Sequence, residues 1–437
     1  MAASASNFSS EPATGGKEVS LTKAVGAALI GNTLEWFDLS VYAYFAVTIG
    51  KVFFPSSDSS LSLLMAFATF GVSFLIRPIG AIVLGAYADR AGRKKSLTVS
   101  LTLMLVGMIM IAVMPSYATI GALAPAGIMV ARLFQGFSAG GEFGSSTAFM
   151  MEHAPKRKRV FVASLQFASQ GFGTVIASLF GYFLTKNLTP EAMQDWGWRV
   201  PFFFGLSIAP VGLYLRSKVD ETPDFAKKVA HQHPQDLNQP ITEILAKQKL
   251  LIVVSIGVLI VSTASTFLIK YMPTYAAENL KLPQSTGFLA TLLAGVILTL
   301  VTPVVGLLAD KVGRINIMLG TAIVYIVSAY PLFLWLNAYP TTASLLLAVG
   351  MIGLIKAIYF APLASIMSDI FPLETRVTGM SLSYSIGVSV FGGFAPAISI
   401  FLIRITGTPV ATSYYLVAAS SLSICALLVA AIKLKLR

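Results

Sequence analysis

Four basic side chains, Arg77, Arg132, Lys270 and Lys356, and three acidic ones, Glu35, Asp38 and Glu142, stand inside long apolar stretches of a 437-residue chain. If those stretches lie in a bilayer, each charge needs a reason to be there. An ionised group at the centre of a membrane helix costs roughly 2.5–3.5 kcal/mol even on insertion scales. A carboxylate in that setting must take up a proton or be paired with a cation, and either state suits a proton carrier. Asn32, Glu35, Asp38 and Tyr42 follow one another at steps of three, three and four, so one helix would carry them in a single polar stripe. Asp38 and Glu35 are the first candidates for proton coupling and Glu142 the third, with a purely structural ion pair as the competing role.

The cations outnumber the acids, and an excess of buried positive charge is best balanced by a solute that arrives negative. Arg77 precedes Asp89 by twelve residues, about 18 Å of helix, and Lys356 follows Thr341 by fifteen, about 22 Å. Neither reaches water easily. Guanidinium groups can bond both oxygens of a carboxylate in one plane. Arg77, Arg132, Lys356 and Lys270 are therefore candidate substrate ligands. Two simpler arrangements compete: Arg77 paired with Glu35 or Asp38, and Lys270, twenty residues into its stretch, extending to the outer surface. Tyr42, Asn32, Gln166 and Gln170 extend the candidate site. Gln166, Ser169, Gln170 and Gly173 share one helix face, and Thr263, Thr266, Lys270 and Thr274 another; both faces could line a cavity or bridge neighbouring helices. Gly136, Gly140 and Gly144 form a small-residue ridge suited to close helix packing.

The elements that hold these residues follow from composition. The chain is 56% hydrophobic and 11% charged, against about 25% charged in soluble domains. Its mean hydropathy is +0.78. Apolar runs long enough to cross a bilayer recur near 24–49, 60–88, 96–114, 119–151, 160–185, 197–215, 250–275, 286–309, 316–336, 341–369, 377–403 and 410–432. The expected fold is an all-α membrane protein of twelve transmembrane helices in two six-helix pseudo-symmetric halves. Residues 1–23 read as a cytoplasmic tail, 24–215 as the first bundle, 216–249 as a cytoplasmic linker and 250–437 as the second bundle. The net charge of +12 does not signal nucleic acid, because 22 of the 31 Lys and Arg fall in segments on one side if both termini are cytoplasmic. A lone cysteine, Cys425, says little about redox compartment.

An internal repeat supports the two halves. Gly85-Ala-Tyr-Ala-Asp89-Arg90-Ala-Gly92-Arg93 follows the second run, and Gly306-Leu-Leu-Ala-Asp310-Lys311-Val-Gly313-Arg314 the eighth. This paired loop resembles the signature of the major facilitator superfamily. The stretches Gly31 to Asp38, Arg77-Pro78-Ile79-Gly80, Arg132 to Glu142, Trp196 to Phe202 and Phe371 to Arg376 are similar to its metabolite:proton symporter branch. The resemblance implies a secondary active transporter that couples proton entry to uptake of organic acids such as citrate, tricarballylate, 2-oxoglutarate or shikimate, or of zwitterions such as proline and betaine. It also implies a cytoplasmic gate made of Gly85, Asp89, Arg90, Arg93, Gly306, Asp310, Lys311 and Arg314, and a coupling arginine at Arg132. Gly313-Arg314-Ile315-Asn316 is less basic than Gly92-Arg93-Lys94-Lys95, which implies weaker gating contacts in the second loop.

The resulting expectation is a non-enzymatic, multi-pass protein of the cell inner membrane that takes up a di- or tricarboxylate with protons by alternating access. Symport of an osmolyte, efflux by antiport and a substrate-binding membrane sensor are the alternatives. Co-transported protons replace any cofactor, with sodium left open as coupling ion. The expected partners are a small organic anion and the lipid bilayer, without nucleic acid, and the chain is expected to act as a monomer. Gly136-Phe137-Ser138-Ala139-Gly140 fits a hydrolase nucleophile pattern, but no strand, turn or histidine accompanies it. His153, His231 and His233 are too few for a zinc centre, so no metal site is expected, and no phosphate-binding glycine loop points to ATP.

Overall fold

The structure is a computed structural model that describes residues 21–436, apart from 92, 141, 144, 145, 148, 149, 151–157, 219–246, 373 and 374. Most of the expected N-terminal tail and of the linker therefore lies outside the described residues. The first half contains α1 (Leu21–Tyr44), α2 (Ser59–Leu75, resumed as Arg77–Ala91), α3 (Arg93–Val113), α4 (Leu123–Ala139), α5 (Arg159–Asn187) and α6 (Val200–Lys218). The second contains α7 (Lys249–Glu278), α8 (Gln284–Val312), α9 (Arg314–Ala338), α10 (Thr342–Ile370), α11 (Arg376–Gly387, a π-helical turn Val388–Gly393, then Ala395–Thr406) and α12 (Thr412–Lys433). Among the described residues there is no strand, and eight helices are long and apolar enough to cross a membrane.

Local chemistry sets the ends and breaks. The Asp58 carboxylate accepts from the Ser60 amide at 2.9 Å and so caps α2, and Thr341 and Ser344 form a capping box at the start of α10. Pro78 has no amide proton for the Phe74 carbonyl, so α2 breaks at Ile76, just before Arg77. The Phe74 carbonyl takes the Ile76 amide instead and is also met from the other half by the Ser389 hydroxyl, in the π-helical turn of α11.

The halves meet most extensively along α5 and α8, where Gly171 and Gly295 let the backbones approach closely. Further contacts run from α1 to α7, from α2 to α11 and from α5 to α10. Aromatic pairs cross the interface: Phe74 with Phe267 at 5.1 Å, Phe67 with Tyr271 at 5.7 Å, Phe143 with Tyr384 at 3.5 Å and Phe167 with Phe360 at 4.0 Å.

Within the first half, the glycine ridge of α4 lies against α2 as expected, with Gly144 outside the described residues. A Cβ on Gly136 would collide with the Ser73 carbonyl, and one on Gly140 with the Arg77 carbonyl. Gly136→Ala is accordingly expected to destabilise the protein by about 3 kcal/mol, the upper end of overpacking costs. The measurement is the yield of monodisperse protein and its melting temperature; wild-type values for both would contradict this packing role.

Candidate functional site

The close crossing of α2 and α4 brings two arginines to the acid-bearing face of α1. Arg77 Nη2 donates to Glu35 Oε1 at 3.2 Å, and its guanidinium lies 4.4 Å from the Phe74 ring centre. Arg132 is fully enclosed. Its Nη1 donates to Gln135 Oε1 at 2.6 Å and, at a longer 3.4 Å, to Asp38 Oδ2. The same guanidinium stacks over Tyr42 at 3.7 Å and faces Phe70 at 5.3 Å. Among the described residues Asp38 Oδ1 and Arg132 Nε and Nη2 have no hydrogen-bond partner. Two of the four buried cations are thus answered by acids of their own half.

The two lysines of the second half are not. Among the described residues neither Lys270 nor Lys356 has a carboxylate within ion-pair distance. Lys270 does not extend to the outer surface: it is 1% exposed, because α7 is enclosed along nearly its whole length. Its ammonium instead donates to Ser40 Oγ on α1 and lies 5.3 Å from the Trp36 ring centre. Lys356 is 4% exposed and sits 4.6 Å from the Phe360 ring centre. The two ammonium groups are close enough to repel one another.

The uncharged candidates divide by what they touch. Asn32 Nδ2 donates to the Gln166 carbonyl at 2.8 Å and to Ser169 Oγ at 2.7 Å, tying α1 to α5. Gln166 Oε1 accepts from the Thr147 hydroxyl at 2.6 Å. The Tyr42 hydroxyl donates to the Ala66 carbonyl at 3.3 Å, and its ring forms the floor under Arg132. These three join helices together. Gln170 differs: it is buried, yet both ends of its amide lack a hydrogen-bond partner among the described residues. Glu142 is half-buried. Ser40, Trp36 and Gln135 complete the constellation, and nothing in the sequence singled them out as ligands. A serine in an apolar helix carries no signal of its own, since it commonly bonds its own turn, as Ser40 does to the Trp36 carbonyl at 2.6 Å.

The sequence matches the Major Facilitator Superfamily over residues 28–382, and again over 255–436. The chain belongs to this superfamily. Among similar proteins, the citrate-proton symporter of Klebsiella pneumoniae is 38% identical over 398 residues, covering 91% of this chain and 88% of that protein. The proline/betaine transporter of Escherichia coli is 34% identical over 417 residues, covering 91% and 80% respectively. The crystal structure of a D-xylose-proton symporter superimposes with a TM-score of 0.74 at 18% identity, over 94% of this chain and 97% of that one, which establishes the fold. This facilitator is a multi-pass inner-membrane transporter, not an enzyme.

Of the facilitator's expected gate, Gly306 lies within α8 and not in a loop, and it packs against Ser164 and Phe161 of α5, at the interface between halves. Lys311 is exposed. Arg314 does not cross to the first half. Its Nη1 donates to Asp369 Oδ2 and to Ser365 Oγ, each at 2.5 Å, tying α9 to α10. That is a firm contact for the less basic of the two loops. The side chains of Asp89, Arg90, Arg93 and Asp310, and the packing of Gly85, lie outside the described residues.

Proposed function

We propose that the protein is a proton-driven symporter that takes up a small organic anion, a di- or tricarboxylate such as citrate, by alternating access. The observation that carries this reading is the pair of buried lysines, Lys270 and Lys356, which face no acid among the described residues. A buried cation without a counter-charge is costly, and a carboxylate substrate supplies that charge. The similarity to citrate-proton symporters points the same way. Coupling has an electrical rationale, since an inside-negative potential opposes anion entry by roughly 2.3 kcal/mol per charge per 100 mV. Glu35 or Asp38 carries the protons, and each is paired with an arginine. The bias of basic residues supports a cytoplasmic location for both termini.

Proton-driven uptake into proteoliposomes tests this. With an imposed inward proton gradient, citrate, tricarballylate or 2-oxoglutarate is expected to accumulate inside. Depletion would assign efflux antiport instead. The similarity to proline/betaine transporters gives the second reading, symport of a zwitterion. A thermal-shift screen separates the two: stabilisation by proline and betaine alone would overturn the anion assignment.

A further inference from the structure

Lys270 is distinguished by where its bond goes. Its ammonium donates to Ser40 Oγ, which belongs to α1 in the opposite half. Ser40 is fully buried, and its own hydroxyl proton is directed to the Trp36 carbonyl at 2.6 Å. The Ser40 oxygen therefore acts towards Lys270 purely as an acceptor. Trp36 adds the face of its ring, and that ring is itself held against Phe267 of α7 at 6.1 Å. An ammonium has three donors to satisfy. Here one neutral hydroxyl and one indole face do the work that water or a carboxylate would do, while Lys356 repels from nearby.

Resting on the anion-uptake reading above, we infer that Ser40 is a stand-in for the substrate: it holds Lys270 in the empty transporter, and an arriving carboxylate takes the ammonium from it. The exchange is favoured for two reasons. A carboxylate brings a full opposite charge to the ammonium, an attraction that a neutral hydroxyl acceptor does not supply. The incoming negative charge also relieves the repulsion between Lys270 and Lys356. The exchange has a mechanical consequence, because the Lys270–Ser40 bond ties α7 to α1 across the two halves. A ligand shifts a conformational equilibrium only through contacts that differ between the states. Moving Lys270 from α1 to the substrate is such a contact, so substrate binding loosens the tie that holds this arrangement of the halves.

The inference makes an unusual demand on mutation: removing a residue of the site should tighten binding. Ser40→Ala is expected to lower the Kd for the tightest-binding of citrate, tricarballylate and 2-oxoglutarate by roughly tenfold, measured by calorimetry on the purified protein. The melting temperature of the empty Ser40→Ala protein should fall, and its gain on saturation should exceed that of wild type. Ser40→Cys, whose sulfur is a weaker acceptor, should fall between the two. A purely structural serine would lower the melting temperature and leave the Kd where it was. An unchanged or higher Kd in Ser40→Ala, with wild type binding normally, overturns the stand-in alone. If wild type binds none of the three anions, the anion reading fails and the stand-in falls with it.

Discussion

Lys356→Gln is expected to abolish proton-driven uptake while making the empty protein more stable. Truncating one partner of a desolvated charge pair costs about 2–5 kcal/mol, which corresponds to roughly 30-fold to a few thousand-fold in apparent Kd. For Lys356 that partner is the substrate, because no acid within ion-pair reach is found among the described residues. Gln keeps most of the volume and removes a buried charge that Lys270 repels. The melting temperature without substrate should therefore rise, and the additional stabilisation on substrate addition should disappear. This combination, higher intrinsic stability with lost function, is the usual mark of a group kept for a ligand and not for the fold. Normal uptake by the variant would defeat the anion-site assignment. A fall in stability would show instead that Lys356 answers a charge of the protein itself.

Arg77 and Arg132 make the opposite case, although the sequence presents all four cations alike. Counting charges gives an excess of positive groups, but it cannot say which are already paired. Pairing is decided by the crossing of α2 over α4, where glycines at 136 and 140 let Arg77 and Arg132 reach the α1 acids. The helices themselves were legible because hydropathy reports burial in lipid directly. Hydropathy did not reveal the interruptions inside two of the expected spans, at Ile76 before a proline and at the π-helical turn Val388–Gly393, and the helix ends differ most in the first and fourth spans, which stop at Tyr44 and Ala139. The sequence left Lys270 open between a ligand and a surface lysine for a related reason. Its depth along α7 suggested an escape to the outer surface, and only the packing of α1 and its neighbours around α7 shows that no such surface is near. Ser40 carried no signal because its significance lies in a partner 230 positions away. Gln170 was legible as one member of a polar face. That its amide has no hydrogen-bond partner among the described residues, while Asn32, Gln166 and Ser169 bridge helices, is a fact of tertiary packing.

Asp38→Asn is expected to uncouple transport, retaining substrate binding and exchange but losing accumulation under a proton gradient. The geometry of the Arg132 cluster explains why Asp38 is suited to sense a proton. The guanidinium is held independently of Asp38, by Gln135 at 2.6 Å and over the Tyr42 ring at 3.7 Å, and its Asp38 contact, at 3.4 Å, is the longer of its two hydrogen bonds. Protonation of Asp38 would remove the ionic hold of α1 on α4 and leave Arg132 in place, and Asn at position 38 imitates that protonated state permanently. Arg132→Gln acts differently, since it strands the Asp38 carboxylate in an enclosed site. Breaking a buried pair from one side costs about 3–5 kcal/mol, enough to reduce the folded yield sharply. The double variant, Asp38→Asn with Arg132→Gln, removes both charges and should recover much of that yield while remaining unable to accumulate substrate. Accumulation by Asp38→Asn at the wild-type level would exclude Asp38 as the carrier. The role would then pass to Glu35, whose bond to Arg77 at the break in α2 offers the same release on protonation.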